Sequence, residues 1–184
     1  MAVDADMNLY SAFCRRLAST AGQQVLELGT RRVAGDPSTV RRHLAHPEST
    51  YIASDFQQGL DVDVVADAHA LSETFGCDHF DMILACSTFE HIQRPWIAAK
   101  EMAAVTKPGG WVFVQTHQTF PLHAHPHDYF RFSREALEML FQDAGMTILG
   151  SAYEFPAKIV TERIPGAEKF PAFLNVVVLC EKPA

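Results

Sequence analysis

The chain has 184 residues, of which 48% are hydrophobic and 20% are charged, the composition of an ordinary globular domain. Its formal net charge of −7 argues against a protein that binds duplex nucleic acid, because such a protein needs a basic surface to meet the phosphates. No apolar run approaches the ~20 residues that a membrane-spanning helix needs, so we expect no membrane association.

Cysteine usage and the first ten residues bear on the cellular compartment. The four cysteines show no C-x-x-C pairing and mostly lie in apolar runs, which favours reduced, buried thiols over disulfides or a zinc ribbon. The N-terminal sequence MAVDADMNLY carries acids where a secretory signal would carry lysines and arginines. These features predict a cytoplasmic protein.

The first half of the chain alternates apolar runs with short helical segments. Strands are predicted at 23–30, 50–56 and 61–67. Helices are predicted at 7–19, where apolar residues recur at helical spacing, and at 35–46, where Asp36 is a typical cap before Pro37. The strands predicted at 50–56 and 61–67 are too close in the chain to leave room for a helix between them.

The second half continues the alternation and then ends in two strands. Strands are predicted at 79–88, 111–117, 146–155 and 172–183. One helix begins at Pro95 and ends near Pro108, and another begins after the cap Ser133 and ends at Gly145. The pattern predicts an α/β fold in which helices cover both faces of a mainly parallel, doubly wound sheet. We expect one domain, 1–184, that begins with an N-terminal helix within residues 1–20.

In a sheet of this kind, ligands bind at the carboxyl ends of the strands. Asp55 ends the second predicted strand, where a carboxylate suits the hydroxyls of a ribose. The turn after the first strand reads GTRRVAG and lacks the G-x-G-x-x-G spacing that a pyrophosphate needs. A nucleoside without phosphates therefore fits better, and Asp67 after the third strand would contact an adenine amino group.

Five segments in order resemble the motifs of class I S-adenosylmethionine-dependent methyltransferases of the small, single-domain, methyltransferase type 11-like kind. The segments are VLELGTRR, YIASDF, DVVADAHAL, FDMILACSTFEHI and KPGGWVFVQT. The resemblance runs from about residue 23 to residue 145. It implies a Rossmann-like sheet of seven strands with the last strand antiparallel, and S-adenosyl-L-methionine as the cofactor.

The resemblance also implies roles for single residues. Glu27 and Gly29 would flank the methionine moiety, Asp55 would hold the ribose, and Asp67 and Ala68 would border the adenine. The whole predicted cofactor-binding set is Glu27, Gly29, Thr30, Arg31, Asp55, Phe56, Asp67, Ala68, Cys86 and Ser87. The family's first motif usually has two or three glycines, and this chain keeps only Gly29, followed by Arg31, which would pair with the cofactor carboxylate.

The segment PLHAHPHDYFRF, residues 121–132, combines three histidines with an aspartate, a tyrosine and an arginine. Zinc takes such ligands, but Pro121 and Pro126 disfavour a regular strand and methyl transfer needs no metal, so we predict none. The segment resembles the pattern H-x-x-P-x-D-[YF]-x-R-[FY] of related small methyltransferases, which implies a loop over the methyl-transfer face. Its predicted substrate-binding residues are Asp128, Tyr129 and Arg131, and Asp128 and Arg131 would also pair and fix the loop.

An acceptor that loses a proton needs a general base, and histidine titrates near neutral pH. The candidates are His91, His117, His123 and His127. We expect a methyltransferase for a small polar acceptor, such as a sugar or a natural-product-like metabolite, methylated at oxygen, nitrogen or carbon. The loops 117–132 and 156–171, or a partner chain in a homo-oligomer, would complete its pocket. The alternatives are a non-catalytic scaffold subunit and a metal-dependent enzyme that uses the histidine loop.

Overall fold

A single sheet organises the computed structural model, which describes residues 8–123 and 127–184. In these residues the strands are β1 (Gln24–Leu28), β2 (Thr50–Asp55), β3 (Val64–Val65), β4 (Phe80–Cys86), β5 (Thr106–His117), β6 (Thr147–Ala157) and β7 (Ala172–Glu181). Their order is β3-β2-β1-β4-β5-β7-β6. β7 runs antiparallel to both of its neighbours, whereas the pairs from β3 to β5 are parallel. The predicted seven-stranded α/β fold with an antiparallel last strand is confirmed.

The helices pack on the two faces of the sheet. They are α1 (Leu9–Ser19), α2 (Leu71–Phe75), α3 (Pro95–Val105) and α4 (Arg134–Asp143). Because side chains alternate across a strand, Val25 and Leu26 of β1 enter different cores. Val25 packs in the cluster that contains Phe13 of α1, and Leu26 packs in the cluster that contains Met102 of α3. Both faces of the central strands are therefore covered by apolar side chains.

One predicted helix is wrong. The segment 35–46 contains only a single 3-10 turn, Arg42–Leu44. Its backbone and side chains are used elsewhere: the Arg41 N–H and guanidinium both donate to Glu27, and the Arg42 guanidinium donates to the Tyr51 carbonyl. These contacts with the sheet override the local helix signal of Asp36 and Pro37.

Two further differences are smaller. α2 was not predicted, since its five residues are too few for a clear periodicity. The strand predicted at 111–117 begins earlier, at Thr106, and the glycines of the predicted turn lie inside it as an irregularity in its pairing with β4. None of the helices in the described ranges has the length and apolar character needed to cross a bilayer.

Candidate functional site

A cavity of about 750 Å3 opens at the carboxyl ends of the parallel strands, where the strand order reverses between β1 and β4. Twelve of the residues predicted from the sequence line it. They are Gly29, Arg31, Asp55, Phe56, Asp67, Ala68, Ser87, His91, His117, His123, His127 and Tyr129. The cavity has two sides, which we call the strand-end side (after β1, β2 and β3) and the histidine side (after β4 and β5).

The turn after β1 depends on Gly29. Its φ angle is +77°, a region that favours glycine. A Cβ atom at this position would lie 2.2 Å from the hydroxyl oxygen of Thr88. The N–H of Gly29 donates to the Ser54 carbonyl at 2.8 Å, which fixes the turn against the end of β2. The one glycine that remains in this motif is therefore the one that the geometry requires.

Two aspartates follow β2 and β3 on the strand-end side. Asp55 accepts hydrogen bonds from the backbone N–H groups of Arg31 at 3.2 Å and Gln57 at 3.0 Å. Asp67 accepts from the backbone N–H and from Nδ1 of His69. Burial alone would raise the pKa of Asp67, but the hydrogen bonds from His69 outweigh it and hold the pKa below its ordinary value. Both side chains line the cavity and have acceptor capacity to spare.

Glu27 lies behind the cavity wall rather than on it. Its buried carboxylate accepts from the Arg41 guanidinium at 2.7 Å and from the Tyr51 hydroxyl at 2.6 Å. Burial, and then the Glu27 carboxylate, raise the pKa of Tyr51, so Tyr51 stays a hydrogen-bond donor. The carboxylate thus has its charge balanced inside the protein, and a contact with the cofactor's methionine moiety stays a prediction.

Three other residues that were predicted to bind the cofactor lie at the ends of β1 and β4 and differ in exposure. Thr30 is buried and does not line the cavity. Cys86 does not line it either, and burial raises the pKa of its thiol to about 12, so it is a neutral thiol at physiological pH. Ser87, the next residue, is exposed to the cavity with a φ of +51°, a costly conformation for a residue other than glycine.

The histidine side is built around Glu90, whose side chain is fully buried in the 3-10 helix Phe89–His91. Its Oε2 accepts from the Thr116 hydroxyl at 2.7 Å, and its Oε1 lies 3.0 Å from Nε2 of His117. Burial alone would raise the pKa of Glu90, but these two partners hold it below its ordinary value. Glu90 is therefore an anion at the base of the histidine side.

His117 is held at both ring nitrogens. Nδ1 lies 2.9 Å from the Asn175 side-chain oxygen and Nε2 faces Glu90, while the ring stacks on Phe120 with centroids 4.0 Å apart. Burial would lower the pKa of His117, but Glu90 and Asn175 raise it more, so the pKa lies above its ordinary value. With both nitrogens engaged, His117 is suited to orient neighbouring groups more than to accept a proton.

The loop after β5 is fixed by the predicted pair. The Arg131 guanidinium binds both carboxylate oxygens of Asp128 and also donates to the carbonyls of Phe120 and Pro121. Asp128 in turn accepts from the His123 backbone N–H at 3.0 Å. The expectation that Asp128 and Arg131 pair is confirmed. Neither lines the cavity, whereas Tyr129 does, and their substrate-binding role stays a prediction.

The remaining histidines approach one another across this side. The His91 and His123 rings have centroids 4.8 Å apart, and Nδ1 of His91 contacts the His127 carbonyl. His125 lies outside the described residues. The second predicted substrate-side segment, 156–171, is described throughout, and none of its residues lines the cavity.

Some site residues were missed from the sequence. His69 lines the cavity and links Asp67 to the start of α3, since its Nε2 accepts from the Arg94 N–H. Glu90 and Asn175 were not assigned to the site, although they fix His117. The adjacent pair in FEHI was a signal for Glu90; nothing near Asn175 in the sequence indicated that it meets His117, 58 residues earlier.

Comparison with known proteins identifies the family to which this chain belongs. A model described as methyltransferase domain matches residues 17–114, more than half of the chain. The chain belongs to that methyltransferase domain family, and its fold is the class I methyltransferase fold. The resemblance predicted from the motifs is confirmed.

The sequence relatives match only part of this chain. Two uncharacterized methyltransferases of Mycobacterium leprae, from strains Br4923 and TN, are 30% identical over 86 residues, 47% of this chain. The matched segment spans 29% of the length of these relatives.

Two solved structures share the fold. A 1,6-didemethyltoxoflavin-N1-methyltransferase of Burkholderia thailandensis, with bound 1,6-didemethyltoxoflavin and S-adenosylhomocysteine, has a TM-score of 0.63 and 16% identity, covering 95% of this chain and 76% of that one. The [4+2]-cyclase SpnF has a TM-score of 0.65 and 16% identity, covering 99% and 85%. At such identities the likeness shows the fold alone.

Proposed function

We propose that the protein transfers a methyl group from S-adenosylmethionine to a small polar acceptor. The observation that carries this proposal is the two-sided cavity at the carboxyl ends of the strands. The strand-end side offers carboxylates at the ends of β2 and β3, and the histidine side offers imidazoles. A cofactor bound on the first side would direct its sulfonium toward the second.

On the strand-end side, the proposed contacts follow the chemistry of the lining groups. Asp55 accepts from the ribose hydroxyls, and Asp67 and Ala68 border the adenine. The backbone at Gly29 and the Arg31 side chain meet the methionine moiety, the guanidinium pairing with its carboxylate. Phe56, half exposed at the cavity, covers one face of the bound nucleoside.

On the histidine side, the proposed step is an in-line displacement. The acceptor atom attacks the methyl carbon, the S–CH3 bond breaks, and S-adenosylhomocysteine leaves with the electron pair on sulfur. Most of the acceleration comes from alignment and from exclusion of water. Where the acceptor carries a proton, we propose His91 as the base, since it lines the cavity and the His127 carbonyl holds its ring.

The cofactor half of the proposal is tested by titration calorimetry with S-adenosylmethionine and S-adenosylhomocysteine. We expect one equivalent of each to bind the wild type. Removing the Asp55 carboxylate by Asp55→Ala deletes charged hydrogen bonds of about 1.5–3 kcal/mol, so affinity falls by roughly tenfold or more. Asp143→Ala, at the exposed end of α4, is the matched control and keeps wild-type affinity. Absence of binding by the wild type would overturn the proposal.

A second candidate function is a binding subunit without transferase activity. The first motif of this chain keeps a single glycine where the family has two or three, which favours a weaker or lost cofactor site. Incubation of the purified protein with S-adenosylmethionine and a panel of hydroxylated and amino acceptors separates the two functions. A transferase releases S-adenosylhomocysteine in proportion to the methylated product, and a binding subunit releases none with any acceptor.

A further inference from the structure

Three side chains from separate elements meet on the histidine side. Glu90 belongs to the 3-10 helix after β4, His117 ends β5, and His123 lies in the following loop. Each offers one ligand atom, and these three atoms all lie within 4.8 Å of one another. Ligands of one metal ion about 2.0–2.2 Å from each of them would have separations inside that limit.

The imidazoles have the orientation that metal ligands need. Nδ1 of His117 lies 2.9 Å from the Asn175 side-chain oxygen, and Nδ1 of His123 lies 3.2 Å from the Pro121 carbonyl. A carbonyl oxygen only accepts, so Nδ1 carries a hydrogen in both rings, and Nε2 carries the lone pair when the ring is neutral, as it is in a metal-bound histidine. Histidines that bind metals almost always donate their other N–H to such an oxygen.

The carboxylate has a similar support. The Thr116 hydroxyl donates to Oε2 of Glu90 at 2.7 Å, which leaves Oε1 directed at Nε2 of His117, 3.0 Å away. The Glu90 side chain is fully buried, and a buried carboxylate is costly unless a cation or several hydrogen bonds compensate it. A metal ion between this oxygen and the imidazoles of His117 and His123 would supply a positive charge facing Glu90, in place of a proton on Nε2 of His117.

We infer that Glu90, His117 and His123 bind one divalent transition-metal ion. Two imidazoles and one carboxylate favour zinc, iron, cobalt or manganese over magnesium or calcium, which prefer oxygen ligands only. The inference departs from our expectation from the sequence, which was no metal. That expectation rested on the prolines of the loop and on the fact that methyl transfer needs no metal, and in the structure two of the three ligands lie outside residues 121–132.

The site would also limit the acceptor, and this step rests on the proposed function. His117 and His123 line the cavity, so the open positions of the ion face the bound acceptor. An acceptor with a hydroxyl or carboxylate oxygen would ligate the ion there. A metal-bound hydroxyl loses its proton to solvent more readily, and the resulting oxygen anion takes the methyl group as the S–CH3 bond breaks.

The test measures metal binding without cofactor or acceptor. Untagged protein, stripped with a chelator, is titrated with Zn2+ by calorimetry and with Co2+ by visible absorption, which reports ligand geometry. We expect one equivalent in the wild type and at least about a tenfold loss of affinity in His123→Ala and in Glu90→Gln. His69→Ala, which removes a cavity histidine of the strand-end side, is the matched control and keeps the wild-type affinity.

The outcomes separate this inference from the proposed function. No stoichiometric binding by the wild type, or equal binding by His123→Ala, overturns the metal site. Glu90 is buried, and Glu90→Gln can fail to fold. His123 lies on a loop, so His123→Ala is sufficient to test the metal site if Glu90→Gln does not fold. S-adenosylmethionine binding by metal-stripped protein is measured in parallel. Cofactor binding without metal binding rejects only the metal site, and metal binding without cofactor binding rejects only the transferase.

Discussion

The two sides of the cavity are built in different ways. On the strand-end side, Asp55 and Asp67 are each fixed by the residue two positions further along, Gln57 and His69. On the histidine side, the contacts of His117 reach back to Glu90 and forward to Asn175, which are 27 and 58 residues away in the 184-residue chain. The first side combines local turns at strand ends with hydrogen bonds between the neighbouring ends of β1 and β2, and the second exists only once β4, β5 and β7 have assembled.

This difference has a functional meaning under the proposed activity. Local turns at the ends of strands recur wherever the same cofactor has to be bound, and they can be recognised in a short motif. A network that joins distant segments can change with the acceptor while the turns stay the same. We therefore expect substitutions on the histidine side to alter acceptor use and leave cofactor affinity nearly unchanged.

The largest expected effect concerns the support behind the strand-end side. Glu27→Gln leaves the half-buried Arg41 guanidinium and the buried Tyr51 hydroxyl without their carboxylate. We expect the free energy of unfolding to fall by roughly 3 kcal/mol, the lower end of the range for a broken buried pair, because the Arg41 side chain is 25% exposed. Denaturant titration measures this change.

The control for Glu27 is an ion pair on the surface. Asp78→Asn breaks the pair with Lys182, in which the aspartate side chain is 54% exposed, and should cost no more than about 1 kcal/mol. Equal losses for the two variants would show that the Glu27 network contributes nothing beyond a surface pair.

Gly29→Ala should have the next largest effect. Its φ of +77° costs any other residue about 1–3 kcal/mol, and the new Cβ would also meet Thr88. Gly76→Ala is the matched control, since Gly76 has the same φ and no atom within 4 Å of a built Cβ. Unfolding free energies should fall further for Gly29→Ala, and its S-adenosylmethionine affinity should fall as well. If the unfolding free energy falls less for Gly29→Ala than for Gly76→Ala, the clash with Thr88 is not a cause of the destabilisation.

Arg131→Lys tests the histidine side alone. Lysine cannot reproduce the two parallel bonds to Asp128, so the loop loses about 1.5 kcal/mol of charged hydrogen bonding. We expect the His123 amide, which donates to Asp128, to exchange its hydrogen roughly tenfold faster. Amides at the end of β2 should be unaffected, and Arg134→Lys on the surface of α4 should change neither. Faster exchange on both sides would show that the two sides are not independent.

The smallest expected effect is a pH dependence at Asp67. Its pKa is lowered from 3.8 in the folded protein, so its contribution to stability is complete above the unfolded pKa and is lost as the pH falls through the folded pKa. Unfolding free energies of the wild type and Asp67→Asn should differ by a constant amount above about pH 5 and converge at lower pH. Because the side chain is 61% exposed, the difference is small. If the difference in unfolding free energy between wild type and Asp67→Asn grew as the pH fell, the pKa of Asp67 would not be lowered in the folded protein.

The sequence predicted the strand-end side better than the histidine side, for physical reasons. Strand ends and their aspartates are local features, and the order of the motifs was enough to group Gly29, Asp55 and Asp67. The helix predicted at 35–46 failed because Arg41 and Arg42 form their hydrogen bonds with the sheet. Cys86 and Glu27 do not line the cavity, and their predicted contacts with the cofactor stay predictions, since a one-residue step along a strand turns a side chain to the other face. Glu90 acquired its role from Thr116 and His117, which no local pattern links to it.

A crystal structure with S-adenosylhomocysteine bound would test the central claim most directly. The prediction is that the ribose hydroxyls lie within hydrogen-bond distance of Asp55, that the adenine borders Asp67 and Ala68, and that the sulfur faces His91 and His117. Density for the ligand in the opposite orientation, with its sulfur away from the histidine side, would contradict the proposed transfer. An empty cavity at saturating ligand would contradict the cofactor itself.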